Sequence, residues 1–311
     1  MKQSLIHWVE RYFYAPGPLE KLLSFLFSPL SLLYCYVMQL RFNRSRVKDF
    51  GIKVISVGNL TVGGSGKTPL VTALASVREK PAVVLRGYGR QSQGLIVVSD
   101  ADKILCDVHQ SGDEAMIYAQ KLPHAVVIVS EMRDLAIEKA KEMGCNVVFL
   151  DDGYSKHHIK KLDLVIDVPT INNFCLPSGP YRERLWSGKE AIVLKEGKDF
   201  KRQTTLIDPH EKMLLVTAIA RPERLDDYLP EVVGKVYFPD HYYFTEAELI
   251  QLLETSSADS LLVTYKDYVK IRHFNLPISL LDLDLEIDQI VMETVDNYIN
   301  VPIKEKHDPK T

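Results

Sequence analysis

The chain has 311 residues, 46% hydrophobic and 25% charged, so it can bury a sizeable core and is not a disordered polymer. Its formal net charge of -3 gives no footing for nucleic acid as a main partner. Cys35, Cys106, Cys145 and Cys175 are widely spaced with no CxxC pair, which argues against a zinc site and a disulfide framework and suits a reducing compartment.

Residues 1–50 carry seven Lys/Arg, Lys2 among them, against three acids, and Leu22 to Leu40 is a run of 19 residues without a formal charge. Arg41, Arg44, Arg46 and Lys48 follow directly. The run is too long for a secretory signal and lacks a small-residue cleavage site. Its length permits a membrane span, but Pro29, the serines, Gln39 and two tyrosines weaken that reading. An aromatic and aliphatic run with a basic flank also suits a helix lying in the membrane interface. A buried helical hairpin broken at Pro29 is the third possibility.

Beyond it, apolar strand-like runs alternate with helical stretches. Strands are expected at 53–57, 82–85, 125–130, 147–150, 164–168 and 191–194, with helices at 67–77, 113–121 and 134–143. Near-continuous Val/Ile/Leu strands separated by helices indicate a parallel sheet covered on both faces. A second alternation follows: strands at 214–217, 232–237 and 261–263, helices at 222–229, 246–254 and 265–271, and a last helix at 289–299 that can pack on either unit. The polar stretch 196–211 reads as the boundary, and the tail after Val301 as frayed. The expectation is an α/β protein: a helical, membrane-associated segment (1–50), a nucleotide-binding catalytic domain of the P-loop NTPase type (51–200) and a smaller α/β domain (201–311).

The phosphate-binding reading rests on Val57-Gly-Asn-Leu-Thr-Val-Gly-Gly-Ser-Gly-Lys67-Thr68-Pro69, where a β-branched strand runs into a glycine-rich turn and a helix starts at Lys67. Thr61, Val62, Gly63, Gly64, Ser65 and Gly66 supply backbone N–H groups to phosphate oxygens, Lys67 reaches the β/γ-phosphates, and the Thr68 hydroxyl suits Mg²⁺. The strict GxxxxGK[ST] pattern fails at its first position, Thr61, and the double glycine at 63–64 is expected to supply the turning freedom instead. The apolar run 147–150 ends in Asp151 and Asp152, carboxylates where the nucleotide's metal sits. Alone, such a strand end is commonplace; beside a phosphate loop it gains meaning.

The loop sequence resembles the signature of the tetraacyldisaccharide 4′-kinases, bacterial enzymes that phosphorylate a lipid A precursor. Arg86-Gly-Tyr88, Gly112-Asp113-Glu114, Leu150-Asp-Asp-Gly-Tyr154, Leu176-Pro-Ser-Gly-Pro-Tyr-Arg182-Glu183, Phe238-Pro-Asp240-His241 and Thr264-Tyr-Lys266-Asp267 follow in the family's order. The resemblance implies ATP and Mg²⁺, an acylated anionic disaccharide as acceptor, and work at the cytoplasmic face of the bacterial inner membrane with no protein partner. It also implies that Asp113 is the catalytic base, paired with His241 across a cleft. Without the family, Asp113 reads more readily as a helix N-cap, and His241 more readily as a turn or core histidine. Tyr88, Glu114, Arg133 and Arg182 are the candidate substrate residues; salt bridges would explain the arginines, and a structural role Tyr88, as readily. After Asp-Asp-Gly-aromatic the family usually has Gln-His, whereas this chain has Ser155-Lys156-His157-His158, so that histidine's role does not transfer.

Two rivals remain on sequence. A GTPase needs an Asn/Thr-Lys-x-Asp motif, and Thr264-Tyr-Lys-Asp267 sets Lys directly beside Asp. A membrane-associated assembly ATPase differs from a kinase only in its product.

Overall fold

The structure, a computed structural model, describes residues 2–302, with side chains from residue 8 onward. The side chain of Lys2 and the tail from residue 303 lie outside the described residues. Three helices come first: α1 (Lys2–Tyr14), α2 (Pro18–Leu26) and α3 (Ser28–Asn43). The next unit runs β1 (Lys53–Asn59), α4 (Lys67–Ser76), β2 (Ala82–Leu85), β3 (Ile96–Asp100), α5 (Val108–Ser111), α6 (Asp113–Lys121), β4 (Val126–Val129), α7 (Arg133–Glu142), β5 (Val147–Asp151), β6 (Leu162–Ile166) and β7 (Ile192–Leu194).

These strands form one sheet in the order β3-β4-β2-β5-β1-β6-β7, parallel except for β3 against β4. Val54, Ile55 and Val57 of β1 are fully buried, as expected of a strand covered on both sides. One face packs on Leu70, Val71 and Leu74 of α4 and Ala115 and Tyr118 of α6, the other on Ala136, Ile137 and Ala140 of α7. The chain leaves β1 toward β2 on one side and β5 toward β6 on the other. Their carboxyl ends therefore flank the crevice where open α/β sheets bind ligands.

The second sheet contains β8 (Phe200–Ile207), β9 (Met213–Thr217), β10 (Gly234–Tyr237), β11 (Ser260–Thr264) and β12 (Ile278–Ile287), in the order β10-β9-β11-β12-β8. With it go α8 (Glu246–Ser256) and α9 (Tyr265–Ile271), and α10 (Gln289–Asn300) closes the described chain. The polar stretch read as a boundary holds β8, antiparallel to β12 from Phe200↔Ile287 to Ile207↔Leu280. Its side chains are largely solvated, so no apolar run announces it. The segment expected as a helix at 222–229 is a 3₁₀ turn, Pro222–Tyr228. Val291 and Val295 of α10 join the core of the first sheet, which ties the end of the chain back to the nucleotide-binding unit.

The N-terminal helices are turned the opposite way from a buried hairpin. Leu19, Leu22, Phe25, Leu26, Leu32 and Leu33 are 58–74% exposed, while Ser24 and Ser31 face the protein. Ser24 Oγ donates to the Ser178 carbonyl (2.7 Å) and Ser31 Oγ to that of Cys175 (2.8 Å). Among the described residues no single helix is long and apolar enough to cross a membrane; α2 and α3, bent by 56°, pass together by length and composition. The break falls at Phe27, because Pro29 fits in the first turn of α3, where a missing N–H costs nothing.

One expectation fails here. Cys35 of α3 and Cys175 are joined in a disulfide with Cα atoms 6.2 Å apart. They stand 140 residues apart in sequence and meet where Ser24 of α2 and Ser31 of α3 dock these helices on the 172–181 loop, so their spacing carried no sign of it.

Candidate active site

The phosphate loop leaves β1 at Asn59, whose Nδ2 donates to the Thr61 carbonyl at 2.8 Å. Thr61 is buried and bridged to Tyr181, and the Val62 N–H donates to the Pro180 carbonyl at 2.9 Å. The first position of the motif thus needs no glycine, because Thr61 still pairs with a neighbouring chain. The turning falls to Gly63 (φ 92°) and Gly66 (φ 80°), left-handed conformations that favour glycine, and Gly64 does not share it. Helix α4 begins at Lys67, so the loop ends on a helix N-terminus suited to anions.

Lys67 Nζ lies 3.1 Å from Asn59 Oδ1, 3.4 Å from Ser65 Oγ and 3.7 Å from Asp152 Oδ1. Asp151 ends β5 and is buried; its Oδ2 accepts from the Tyr118 hydroxyl at 3.0 Å, while its Oδ1 has no hydrogen-bond partner. Burial outweighs Lys67 and pushes the Asp151 carboxyl up. Asp152, held by Lys67 and Arg182, falls below the usual carboxylate range although burial opposes this. Arg182 also donates to Asn59 Oδ1 at 3.1 Å. Arg133, itself buried, donates to the Ser130 carbonyl (2.5 Å) and the Asp151 carbonyl (3.5 Å), and its Nε is unpartnered.

The second unit faces this crevice. His241, in a left-handed turn (φ 62°) after β10, brings Nδ1 to 2.9 Å from Asp113 Oδ2. Asp113 begins α6 and caps only the adjacent Glu114 N–H, at 3.0 Å. Lys266 of α9 sits 3.7 Å from Asp113 Oδ2 and 2.8 Å from Asp240 Oδ1. Burial would raise the Asp113 carboxyl, but His241 and Lys266 hold it below its ordinary range. The bond from Asp113 raises the His241 imidazole. Burial, with Asp151 nearby, pushes Glu114 up to about 7. The exposed Tyr88 ring stands 5.2 Å from that of His241.

Of the residues singled out from sequence, Gly64, Gly66, Thr68 and Glu114 line one cavity and Asp152 and Arg182 another, while Asp113 pairs with His241. The loop that departs from the family pattern does not bring a histidine to either cavity. His157 is buried between Phe42 and Tyr154, 3.4 Å from Glu183, and His158 pairs with Asp134. Sequence reasoning gave no role to Asn59, Lys266 or Arg224. Lys266 stood in a quoted motif; nothing local marked Arg224, whose Nη1 donates to the Gly64 carbonyl at 2.9 Å.

Known proteins resemble this chain over most of its length. The family model for tetraacyldisaccharide-1-P 4′-kinase matches residues 23–300. The tetraacyldisaccharide 4′-kinase of Aliarcobacter butzleri is 46% identical over 96% of this chain and 99% of its own. That of Helicobacter acinonychis is 48% identical over 94% and 95%. That of Campylobacter jejuni is 42% identical over 94% and 96%. The crystal structure of the "apo" form of LpxK from Aquifex aeolicus in complex with ATP shares the fold, with a TM-score of 0.71 at 23% identity over 89% of this chain and 99% of that one. The chain belongs to the tetraacyldisaccharide-1-phosphate 4′-kinase family.

Proposed function

We propose that this protein transfers the γ-phosphate of ATP to the 4′-hydroxyl of a tetraacyldisaccharide 1-phosphate, giving the 4′-phosphorylated lipid A precursor, lipid IVA. One observation carries the reading. Gly64, Gly66 and Thr68 of the phosphate loop line one cavity with Glu114 and Lys266, the neighbours of the Asp113–His241 pair, whose histidine comes from the other unit. A kinase acting on a sugar hydroxyl needs both: a cradle for the triphosphate and a proton acceptor for the attacking oxygen. In this reading residues 51–200 form the catalytic unit and 201–311 the smaller one that closes on it.

The resemblance made Asp113 the base; the geometry supports a different division of labour. Asp113 is buried, yet the His241 hydrogen bond and the Lys266 ammonium hold its carboxyl below the ordinary range, which makes it a poor proton acceptor. His241 keeps Nδ1 on Asp113, so the tautomer that donates there leaves Nε2 to accept the 4′-hydroxyl proton. Asp113 orients the ring and stabilises the imidazolium that forms. Tyr88, beside His241, and Glu114, Arg133 and Arg182 are suited to hold the acceptor's sugar and phosphate.

The unpartnered Asp151 Oδ1 and the raised Asp151 and Glu114 carboxyls mark a strand end short of positive charge. That fits Mg²⁺ held by Thr68, Asp151 and Asp152 together with nucleotide phosphates. Bound there, Mg²⁺ neutralises phosphate charge.

The exposed apolar stripe of α2 and α3 and the basic residues after it suit docking on a bilayer that holds the acceptor's acyl chains. We assign the protein to the cytoplasmic face of the bacterial inner membrane, where ATP and acceptor meet. No protein partner is called for.

The test is transfer. With γ-labelled ATP, Mg²⁺ and the disaccharide 1-phosphate in mixed micelles, label should pass chiefly to lipid. Lys67→Ala and Thr68→Ala should each lose about a hundredfold or more. Free phosphate as the dominant product, with unlabelled lipid, would overturn the kinase reading in favour of an assembly ATPase.

A further inference from the structure

Three arginines of the second unit lie against the phosphate loop. A Cβ on Gly66 would stand 3.0 Å from Arg202 Nη2, and one on Gly63 would stand 3.4 Å from Arg221 Nη2. Arg224, in the turn Pro222–Tyr228, donates Nη1 to the Gly64 carbonyl at 2.9 Å. Like charges gathered this closely repel, so each calls for an anion. Arg202 has Glu196 at 3.3 Å. Arg221 has Glu10 at 3.0 Å, and its guanidinium lies 3.9 Å from the Tyr14 ring centroid.

Arg224 differs. Among the described residues no carboxylate lies within ion-pair distance of it, and the Gly64 carbonyl is its one hydrogen-bond acceptor. The side chain is exposed, so its remaining donors are left to water and stand free for an incoming anion. Partial desolvation beside the loop and the two neighbouring arginines both disfavour its charge. The same side chain lines a cavity of about 270 Å³ with Gly64, Gly66, Thr68, Glu114 and Lys266. That cavity joins the loop that holds phosphates to the residues around Asp113 and His241.

We propose that Arg224 is a catalytic arginine supplied in cis by the second unit. It exchanges the Gly64 carbonyl for the polyphosphate of the bound nucleotide and stabilises the γ-phosphoryl group in flight. The inference rests on the kinase reading given above. In the step, the bond from the γ-phosphorus to the β,γ-bridging oxygen breaks and the electron pair leaves with ADP. A bond from phosphorus to the acceptor hydroxyl oxygen forms, and the hydroxyl proton goes to His241. Arg224 keeps its protons and contributes charge and two parallel N–H donors, a geometry that fits phosphate oxygens bidentately. Because Arg224 and His241 belong to one unit, closure of that unit brings the charge and the base to the phosphate together.

The experiment compares Arg224→Ala, Arg224→Lys and Lys67→Ala with the unaltered full chain. It measures kcat, KM for ATP, thermal midpoint, and binding of ADP with and without fluoroaluminate in the presence of Mg²⁺ and acceptor. Arg224→Ala should lose about a hundredfold or more in kcat, as for other arginines acting on transferred phosphoryl groups, with KM for ATP changing less than about fivefold. It should bind ADP normally yet lose the tightening that fluoroaluminate brings, since only the planar mimic presents transferring charge. Arg224→Lys should recover less than a tenth of the activity, because an ammonium cannot make the paired bonds. Near-normal kcat in Arg224→Ala overturns the proposal. So does a rise in KM at unchanged kcat, or a lowered thermal midpoint with the fluoroaluminate effect intact. An active Lys67→Ala variant would instead refute the kinase reading beneath it, so the two failures are distinguishable.

Discussion

At the scale of single residues, the Asp113–His241 pair is the feature whose chemistry is most exposed to test. The anion at Nδ1 raises the imidazole above its ordinary value of about 6.5, while Lys266 opposes its protonation and Asp240, 3.5 Å from Nε2, favours it. Only the neutral ring accepts a proton. Turnover should therefore fall as pH drops through the raised value, with an acid-side midpoint above that of a free histidine. Asp113→Asn removes the anion and should move the residual activity's midpoint down; Lys266→Met removes the opposing cation and should move it up. Profiles of kcat against pH for the three proteins check both signs, and unmoved midpoints would detach His241 from the proton transfer. Lys67, Thr68, Asp151 and Asp152 could be singled out in sequence because a glycine-rich turn opening a helix and a strand end are built from consecutive residues. Lys266 and Arg224 could not, since each acquires its meaning from a residue more than a hundred positions away: Asp113 for the first, Gly64 for the second.

Among the elements, the same distinction separates what periodicity reveals from what pairing decides. Strands β1, β2, β4 and β5 are runs of Val, Ile and Leu because both faces of their sheet are covered, and they read plainly. Strand β8 hides in polar sequence because its neighbour β12 supplies its order and water covers much of its surface. The 3₁₀ turn carrying Arg224 was read as a helix because Pro222 opens it with helix-like composition. Helices α2 and α3 were legible as apolar but not as oriented: their serines, not their leucines, face the protein. That orientation makes substitution a cleaner test than truncation, which would also strip the 172–181 loop of its partners. Leu22→Glu, Phe25→Glu and Leu33→Glu combined should abolish flotation with anionic vesicles and leave ATP binding within about twofold. Each side chain withdrawn from lipid forfeits about 1.5–3 kcal/mol. Flotation equal to that of the unaltered chain would leave the stripe without a membrane role.

For the whole molecule, the arrangement divides labour across a crevice. The first sheet brings the phosphate loop and the Asp151–Asp152 strand end together at the reversal of its strand order. The second delivers His241, Lys266 and Arg224 to the opposite wall. Helix α10 returns from the second sheet to the core of the first, which ties the two walls together. The N-terminal helices flank the crevice: Tyr34 and Arg41 of α3 border Arg182 and Asp152 in a second cavity. An acceptor anchored in lipid beside α3 would reach the site from that side, with its hydroxyl toward His241 and its existing phosphate outside the transfer path. The central claim is therefore positional: the phosphate goes to the sugar's 4′-hydroxyl and not onto the phosphate already there. Phosphorus NMR of the lipid product after ATP turnover tests it most directly. The account predicts a second phosphomonoester resonance coupled to the proton at the 4′ carbon, with the 1-phosphate signal unchanged. A pyrophosphate pair of resonances at the 1-position, or a phosphate on another hydroxyl, would contradict it.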